Sequence, residues 1–178
     1  MKAQYLFILC IFILEGACKC QNCLEYDTSI YIDNNSEFTI SFYIPLIGMN
    51  GGIYPDTTIT FDKKNVGYPT KSGDIAHAGI SNISLERWVQ SFPNDTVSIY
   101  IFDKEILDSF LWEIIQQDYN ILQRYDLSLE DFYTLYNKSK IPVITYPPTE
   151  AMKDMKMYPP YELHKGHTFE TFYPRRRR

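Results

Sequence analysis

Thr96-Val-Ser-Ile-Tyr-Ile-Phe102 is the stretch on which the fold turns. β-branched and aromatic residues dominate it, without Gly or Pro, and this is the composition of a strand. Towards its end it is apolar on both faces, so it is expected at the centre of a sheet. Pro93-Asn-Asp95 before it is turn chemistry. Asp103 after it is placed to cap a short helix from Lys104 to about Asp108.

Towards the N-terminus, Ser29-Ile-Tyr-Ile-Asp33 and Glu37-Phe-Thr-Ile-Ser-Phe-Tyr-Ile44 also alternate. Asn34-Asn-Ser36 separates them with turn residues, which predicts a β-hairpin. Asp56-Thr-Thr-Ile-Thr-Phe-Asp62 reads as a third strand, with Ile59 and Phe61 on one face. Lys63 to Ser81 is broken by Gly67, Pro69, Gly73 and Gly79 and is expected to be loop. Ser84 opens a short helix with Leu85, Trp88 and Val89 that stops before Pro93.

Towards the C-terminus, a second helix is expected through Trp112, Ile115 and Tyr119, and an extended segment from Ile121 to Tyr125. Ser128-Leu-Glu-Asp131 has the form of a capping box. The helix it opens carries Leu129, Phe132, Leu135 and Tyr136 at helical spacing. Ile141 to Tyr146 reads as the last strand, closed by Pro147-Pro148. These elements predict an α+β fold: a mainly antiparallel sheet that starts with a β-hairpin, with several short helices in the C-terminal half.

The first residues make a separate statement. Lys2 precedes the uncharged run Tyr5-Leu-Phe-Ile-Leu-Cys-Ile-Phe-Ile-Leu14, then come Glu15 and Gly16-Ala17-Cys18. A positive start, a short apolar run and small residues before a Cys form an export signal. The run falls short of the roughly 20 residues that span a bilayer. The expected organisation is a signal peptide over 1–17, lipidation at Cys18, a tether over 18–27, one globular domain over 28–161 and a polar, basic tail over 162–178. All four cysteines (Cys10, Cys18, Cys20 and Cys23) precede the domain, which excludes a disulfide framework within it. Cys20 and Cys23 form a Cys-x-x-Cys pair, but no second pair completes a zinc site and no helix follows to lower a thiol pKa.

Charge narrows the partners. The net charge of −5 becomes −9 without the four residues Arg175 to Arg178, so the body is acidic and nucleic acid is not the expected partner. The expected partners are a membrane, through the N-terminal lipid anchor, and a peptide, a glycan or an envelope protein.

Val97-Ser-Ile-Tyr-Ile-Phe-Asp103, Trp112-Glu113, Ile121-Leu-Gln-Arg-Tyr-Asp-Leu-Ser-Leu-Glu-Asp131, Ile144-Thr-Tyr-Pro-Pro148 and Lys156-Met-Tyr-Pro-Pro-Tyr161 together resemble a family of small uncharacterised bacterial lipoproteins. Ile32-Asp-Asn-Asn-Ser36 and Tyr54-Pro-Asp-Thr-Thr58 are similar to its N-terminal region. The resemblance implies a cell-envelope location and brings no activity, cofactor or catalytic residue. Glu15 stands where the lipobox of such proteins has Leu, and Glu162 to Arg178 lies beyond the resemblance.

Four groups carry candidate chemistry. His164-Lys-Gly-His167 with Glu162 and Glu170 has metal-ligand types at close spacing. Asp74, His77 and Ser81 are the close grouping of hydrolytic residue types, without a Gly-x-Ser-x-Gly elbow. Glu105, Glu113, Glu130 and Asp131 could supply paired carboxylates, although helix first turns explain them as well. Tyr146-Pro-Pro148, Tyr158-Pro-Pro-Tyr161 and Tyr173-Pro174 offer aromatic surface for a peptide or sugar. Asn34, Asn82, Asn94 and Asn137 head glycosylation sequons, which matter only in a eukaryotic secretory pathway.

The favoured reading is an exported, lipid-anchored, non-catalytic binding or structural module, without cofactor, catalytic residue or metal site. The competing reading is a small secreted hydrolase or metal-dependent enzyme centred on His77 or on His164 and His167.

Overall fold

The computed structural model describes residues 28–47, 58–80 and 83–164. The expected signal peptide, the lipidation at Cys18, the tether cysteines and the tail from 165 onward lie outside the described residues. Among the described residues seven strands form two sheets: β1 (Thr28–Asn34), β2 (Ile40–Tyr43), β3 (Ile75–Ile80), β4 (Val97–Asp103), β5 (Gln123–Leu127), β6 (Val143–Tyr146) and β7 (Lys156–Tyr158). Four helices accompany them: α1 (Leu85–Gln90), α2 (Lys104–Ser109), α3 (Trp112–Gln117) and α4 (Leu129–Thr134). The first sheet has the order β3-β1-β6, and the second β2-β4-β5-β7. All strand pairs are antiparallel except β1 with β6. The α+β class is therefore correct.

β4 lies inside the second sheet, as its apolar sequence requires, and Val97 to Phe102 are all buried. Strand alternation splits its residues between two cores. Val97, Ile99 and Ile101 join Ile30, Ile32 and Ile144 of the first sheet, Trp88 of α1 and Phe132 of α4 in the main core. Tyr100 and Phe102 face the other way, into a smaller core with Tyr43, Phe61 and Ile115. Tyr125 Oη donates to Thr145 O at 2.8 Å and ties β5 to β6 across the main core. Trp88 is fully buried, and its indole N–H donates to Pro45 O at 3.1 Å.

The expected β-hairpin does not form, because β1 and β2 belong to different sheets. The turn chemistry was read correctly, but it serves a crossover. Asn34 is fully buried, and its amide donates to Phe38 O at 2.8 Å and to Thr70 O at 2.9 Å. Its carbonyl accepts from Ser36 N at 3.1 Å. These bonds turn the chain out of the first sheet and deliver Ile40 to β4.

The expected third strand, Asp56 to Asp62, begins outside the described residues; over 58–62 no strand is assigned, while Ile59 and Phe61 sink into the smaller core. Phe61 stacks on Tyr43 with centroids 3.5 Å apart, and Trp112 Nε1 and Gln116 Nε2 donate to Phe61 O and Ile59 O at 3.1 and 2.8 Å, which hold the segment against the core.

The stretch expected to be loop contains β3. Gly73, at φ 76°, makes the turn that starts it, a conformation that favours glycine. Gly73 N donates to Asn34 O at 2.7 Å, and six register pairs with β1 follow. At the other end, the folded body runs past the expected boundary at Tyr161 into a turn over Tyr161–His164.

Capping went as read. Ser128 and Asp131 form the reciprocal capping box of α4. Asp103 Oδ1 accepts from Glu105 N at 2.7 Å at the start of α2.

Candidate functional site

Two polar regions stand out from the cores, one on each sheet. On the smaller-core face of the second sheet, β5 places Arg124 and Asp126 two residues apart on one side. Arg124 Nε bonds Asp126 Oδ2 at 3.0 Å, with the side chains 3% and 1% exposed. Ser98 Oγ donates to Asp126 Oδ1 at 2.5 Å, and Arg124 Nη1 donates to Tyr119 Oη at 2.9 Å. Burial pushes the Tyr43 phenol up to about 12 and raises Tyr100, where the nearby Arg124 only partly offsets it. Among the described residues, Tyr43 Oη and Tyr100 Oη meet no hydrogen-bond partner of good geometry. With its charges paired and closed off from solvent, this cluster is a buried structural ion pair rather than an open site.

The first sheet is built differently. Strand alternation sends Ile30 and Ile32 to the core and Ser29, Tyr31 and Asp33 to the outer face. β3 adds Ile75, His77 and Gly79 to that face, all exposed. His77 Nε2 lies 3.0 Å from Ser29 Oγ, and its ring meets Tyr31 with centroids 5.3 Å apart.

β3 is also the edge of its sheet, and the register shows which backbone groups face outward. Tyr31 N donates to Pro142 O and Asn35 N to Tyr146 O, so odd residues of β1 bond towards β6. Asn34 N donates to Asp74 O, so even residues bond towards β3. The pairs Ile32 with Ala76 and Ile30 with Ala78 carry that parity into β3. Ile75, His77 and Gly79 must then point N–H and C=O away from β1, and among the described residues nothing meets them.

Such a row is a template for another strand, and sheet edges are commonly blunted by Lys, Pro, a bulge or a covering element. Ile75-Ala-His-Ala-Gly-Ile80 has no charge and no Pro, and its register with β1 is unbroken. Ala76 and Ala78 pack on the main core yet stay half-buried, because methyl groups cannot cover it. The arrangement can accept a strand through main-chain hydrogen bonds.

The candidates drawn from the sequence fare unequally. Asp74 precedes β3 and stands three residues from His77, a spacing that strand alternation sends to opposite faces. Ser81 lies outside the described residues, and the hydroxyl that meets His77 is that of Ser29. Asp33 Oδ2 accepts from Asn35 Nδ2 at 3.1 Å.

Glu105, Glu113 and the adjacent Glu130 and Asp131 occupy the first turns of three different helices, where carboxylates favour the helix dipole. His164 is in the last described turn, and burial pulls its pKa down against a backbone hydrogen bond with Pro159. Glu162 is exposed, while His167 and Glu170 lie outside the described residues. Among the described residues no three His, Cys, Asp or Glu side chains gather as a metal site.

The aromatic surface is corrected as well. Tyr146 and Tyr161 are buried at 4% and 8% exposure, Tyr146 within the main core, while Tyr161 Oη donates to Glu150 Oε2 at 2.7 Å. Only Tyr158 of that described set shows its ring, packed beside Tyr119 with centroids 5.7 Å apart. Tyr173 lies outside the described residues. Asn34, the first sequon residue, spends its amide inside the fold and has no room for a glycan.

Sequence reasoning missed the β3 edge and the Ser29–His77 contact. The available signal was an uncharged six-residue run with Ile at both ends, bounded by Gly73-Asp74 and Ser81-Asn82. Its small residues hid the alternation that marks a strand.

No protein-family model, no curated protein and no solved structure matches the chain. Among the described residues no helix is long and apolar enough to cross a membrane.

Proposed function

We propose that this chain is an exported, lipid-anchored protein of the bacterial cell envelope, one of the small lipoproteins it resembles. Its domain works as a non-catalytic binding or structural module, and the free edge of β3 is its docking element. The single observation that carries the binding role is the outward row of backbone groups on an uncharged, unbroken edge strand. The leader and Cys18 support the anchor. One acyl chain holds a protein only marginally, so stable anchoring requires the multiply acylated Cys of a lipoprotein.

Intact mass of the full chain expressed in a bacterium, taken from membrane and soluble fractions, tests the anchor. The expected result is a membrane-bound species of residues 18–178 plus acyl chains, lost in Cys18→Ala. A lipid-free mass in both forms overturns it.

A hydrolase is the second reading, and the 3.0 Å approach of Ser29 Oγ to His77 Nε2 is what favours it. Against it, both residues lie on an open sheet face, where no strained turn presents the serine. A fluorophosphonate probe separates the two. Labelling of Ser29 that disappears in His77→Ala would establish the hydrolase, and an unlabelled chain supports the binding module.

A further inference from the structure

We propose that the occupant of the β3 edge is a second copy of this chain, paired antiparallel about a two-fold axis through His77. The inference rests on the reading of that edge as a docking element and names its partner.

The register of β3 is self-complementary. With His77 opposite its own copy, Ile75 falls opposite Gly79 of the second copy and Gly79 opposite its Ile75. These are the three residues whose N–H and C=O groups face outward. Every outward group then finds its complement in one arrangement, and two three-stranded sheets become one of six strands. A two-fold contact demands such self-complementarity, because each residue must suit the one that meets it.

Side chains fit the same register. Ile75 is 62% exposed, and it would lie over the bare backbone of Gly79 of the copy. Among the described residues, a Cβ built on that glycine would meet His77 Cε1 alone, at 3.5 Å. On the inner side Ala76 meets Ala78 of the copy, which extends the half-covered rim of the main core across the axis. A one-residue slip would set the outward groups of one copy against inward groups of the other and bring Ile75 opposite Ala78 or Ile80 instead of Gly79.

Charge points the same way. The chain is acidic, at −5, so contact between two copies is opposed least where neither surface carries a charge. β3 is such a surface. The nearest charged residue in sequence, Asp74, would face Ile80 of the copy rather than another carboxylate. A foreign peptide is the weaker candidate, because strand-addition sites select a sequence through side-chain pockets. Ala76, Ala78 and Gly79 are too small to wall one.

One strand pair buries less than the 1,200 Å² or so of a stable interface, so the dimer is weak in dilute solution. Lipid anchoring would raise its effective concentration.

The test uses the full-length chain with thiols kept reduced, so that Cys18, Cys20 and Cys23 cannot join copies. Sedimentation velocity is compared at about 1 μM and about 100 μM, a range that brackets a weak dimer. Amide exchange at Ile75, His77 and Gly79 is followed in the same samples. The expected result is a dimer that grows with concentration, with those amides slowed at least about tenfold while neighbouring loops stay unchanged.

Two variants guard against misfolding. Gly79→Pro removes an outward N–H and leaves the bonds to β1 in place. Ile75→Lys sets a charge on the exposed face of the edge. Both should remain monomeric with wild-type thermal unfolding. A monomer at every concentration with fast edge amides overturns self-pairing and leaves the edge open for another strand. Slow edge amides at every concentration mean that the chain covers its own edge, which overturns the docking reading too. A dimer indifferent to both variants places the interface elsewhere and overturns the proposal.

Discussion

The two sheets of this protein solve the same problem in opposite ways. The four-stranded sheet is covered on both faces over most of its area, and its buried charges, Arg124 and Asp126, answer each other at 3.0 Å. The three-stranded sheet covers one face, leaves Ser29, Tyr31 and His77 at the surface and ends in β3, whose outer edge pairs with nothing among the described residues. Substitutions in the four-stranded sheet should therefore cost stability, whereas those on the outer face and free edge of the three-stranded sheet should be nearly silent for stability and decisive for association. The difference separates a scaffold from a surface.

The largest effect belongs to Trp88. It lies against Phe92 and Phe132 with centroids 5.7 and 5.6 Å away and is fully buried beneath both sheets. Trp88→Ala should cost about 3–5 kcal/mol in urea unfolding, through lost burial and the cavity left behind. A loss below about 1 kcal/mol, the range of surface changes, would mean that the main core does not organise the fold.

Next comes Asp126. Its removal leaves the Arg124 guanidinium buried without its carboxylate, so Asp126→Ala should cost about 3–5 kcal/mol. Replacing both partners, as Arg124→Met with Asp126→Leu, should recover most of that loss, since the pair itself adds little net stability. The double-mutant cycle measures the difference, and additive losses would show that the two charges act independently.

Alkaline pH probes the same sheet from its phenols. Burial raises Tyr43 to about 12 from the ordinary 10.0, raises Tyr100, and raises Tyr125 well above the usual value. The fold favours the neutral phenol, so this contribution is complete below the unfolded pKa near 10 and is lost as pH rises through the folded values. Thermal stability should stay level up to about pH 10 and fall steeply towards pH 12, with phenolate absorbance appearing together with unfolding. Tyr43→Phe should move the fall to higher pH. Phenolate that forms without loss of structure would place these rings in contact with water.

How much of this was legible in the sequence follows from how local each signal is. β4, the cap at Asp103 and the capping box at Ser128 and Asp131 are written in adjacent residues, and all three were read correctly. The partners of β1 are not local. Residues 29–33 alternate in either arrangement, and nothing near Asn34 says that its amide will reach Thr70 and part β1 from β2. The parallel pairing of β1 with β6 joins segments more than a hundred residues apart. β3 failed for another reason: an edge strand beneath little cover needs no large side chains, so Ala, His and Gly could replace the β-branched residues that announce a strand. The candidate site shared that fate, because its chemistry lies in backbone groups, which every sequence has and none displays. Ser29 and His77, 48 residues apart, could be joined only by the register.

The smallest effect on stability is expected at His77 itself, and it is the most telling. His77 contributes one contact with Ser29 and one with Tyr31, both at the surface, so His77→Ala should change unfolding by no more than about 0.5 kcal/mol. Its outward N–H and C=O survive the substitution, because they belong to the backbone. If the edge acts through main-chain pairing, His77→Ala should associate as the wild type does, whereas Gly79→Pro should not. If the imidazole is the working group, as a hydrolytic centre with Ser29 requires, the order reverses: His77→Ala abolishes function and Gly79→Pro leaves it. Equal folding stability in both variants makes that comparison clean, since neither residue touches the paired charges or the cores that hold the other sheet.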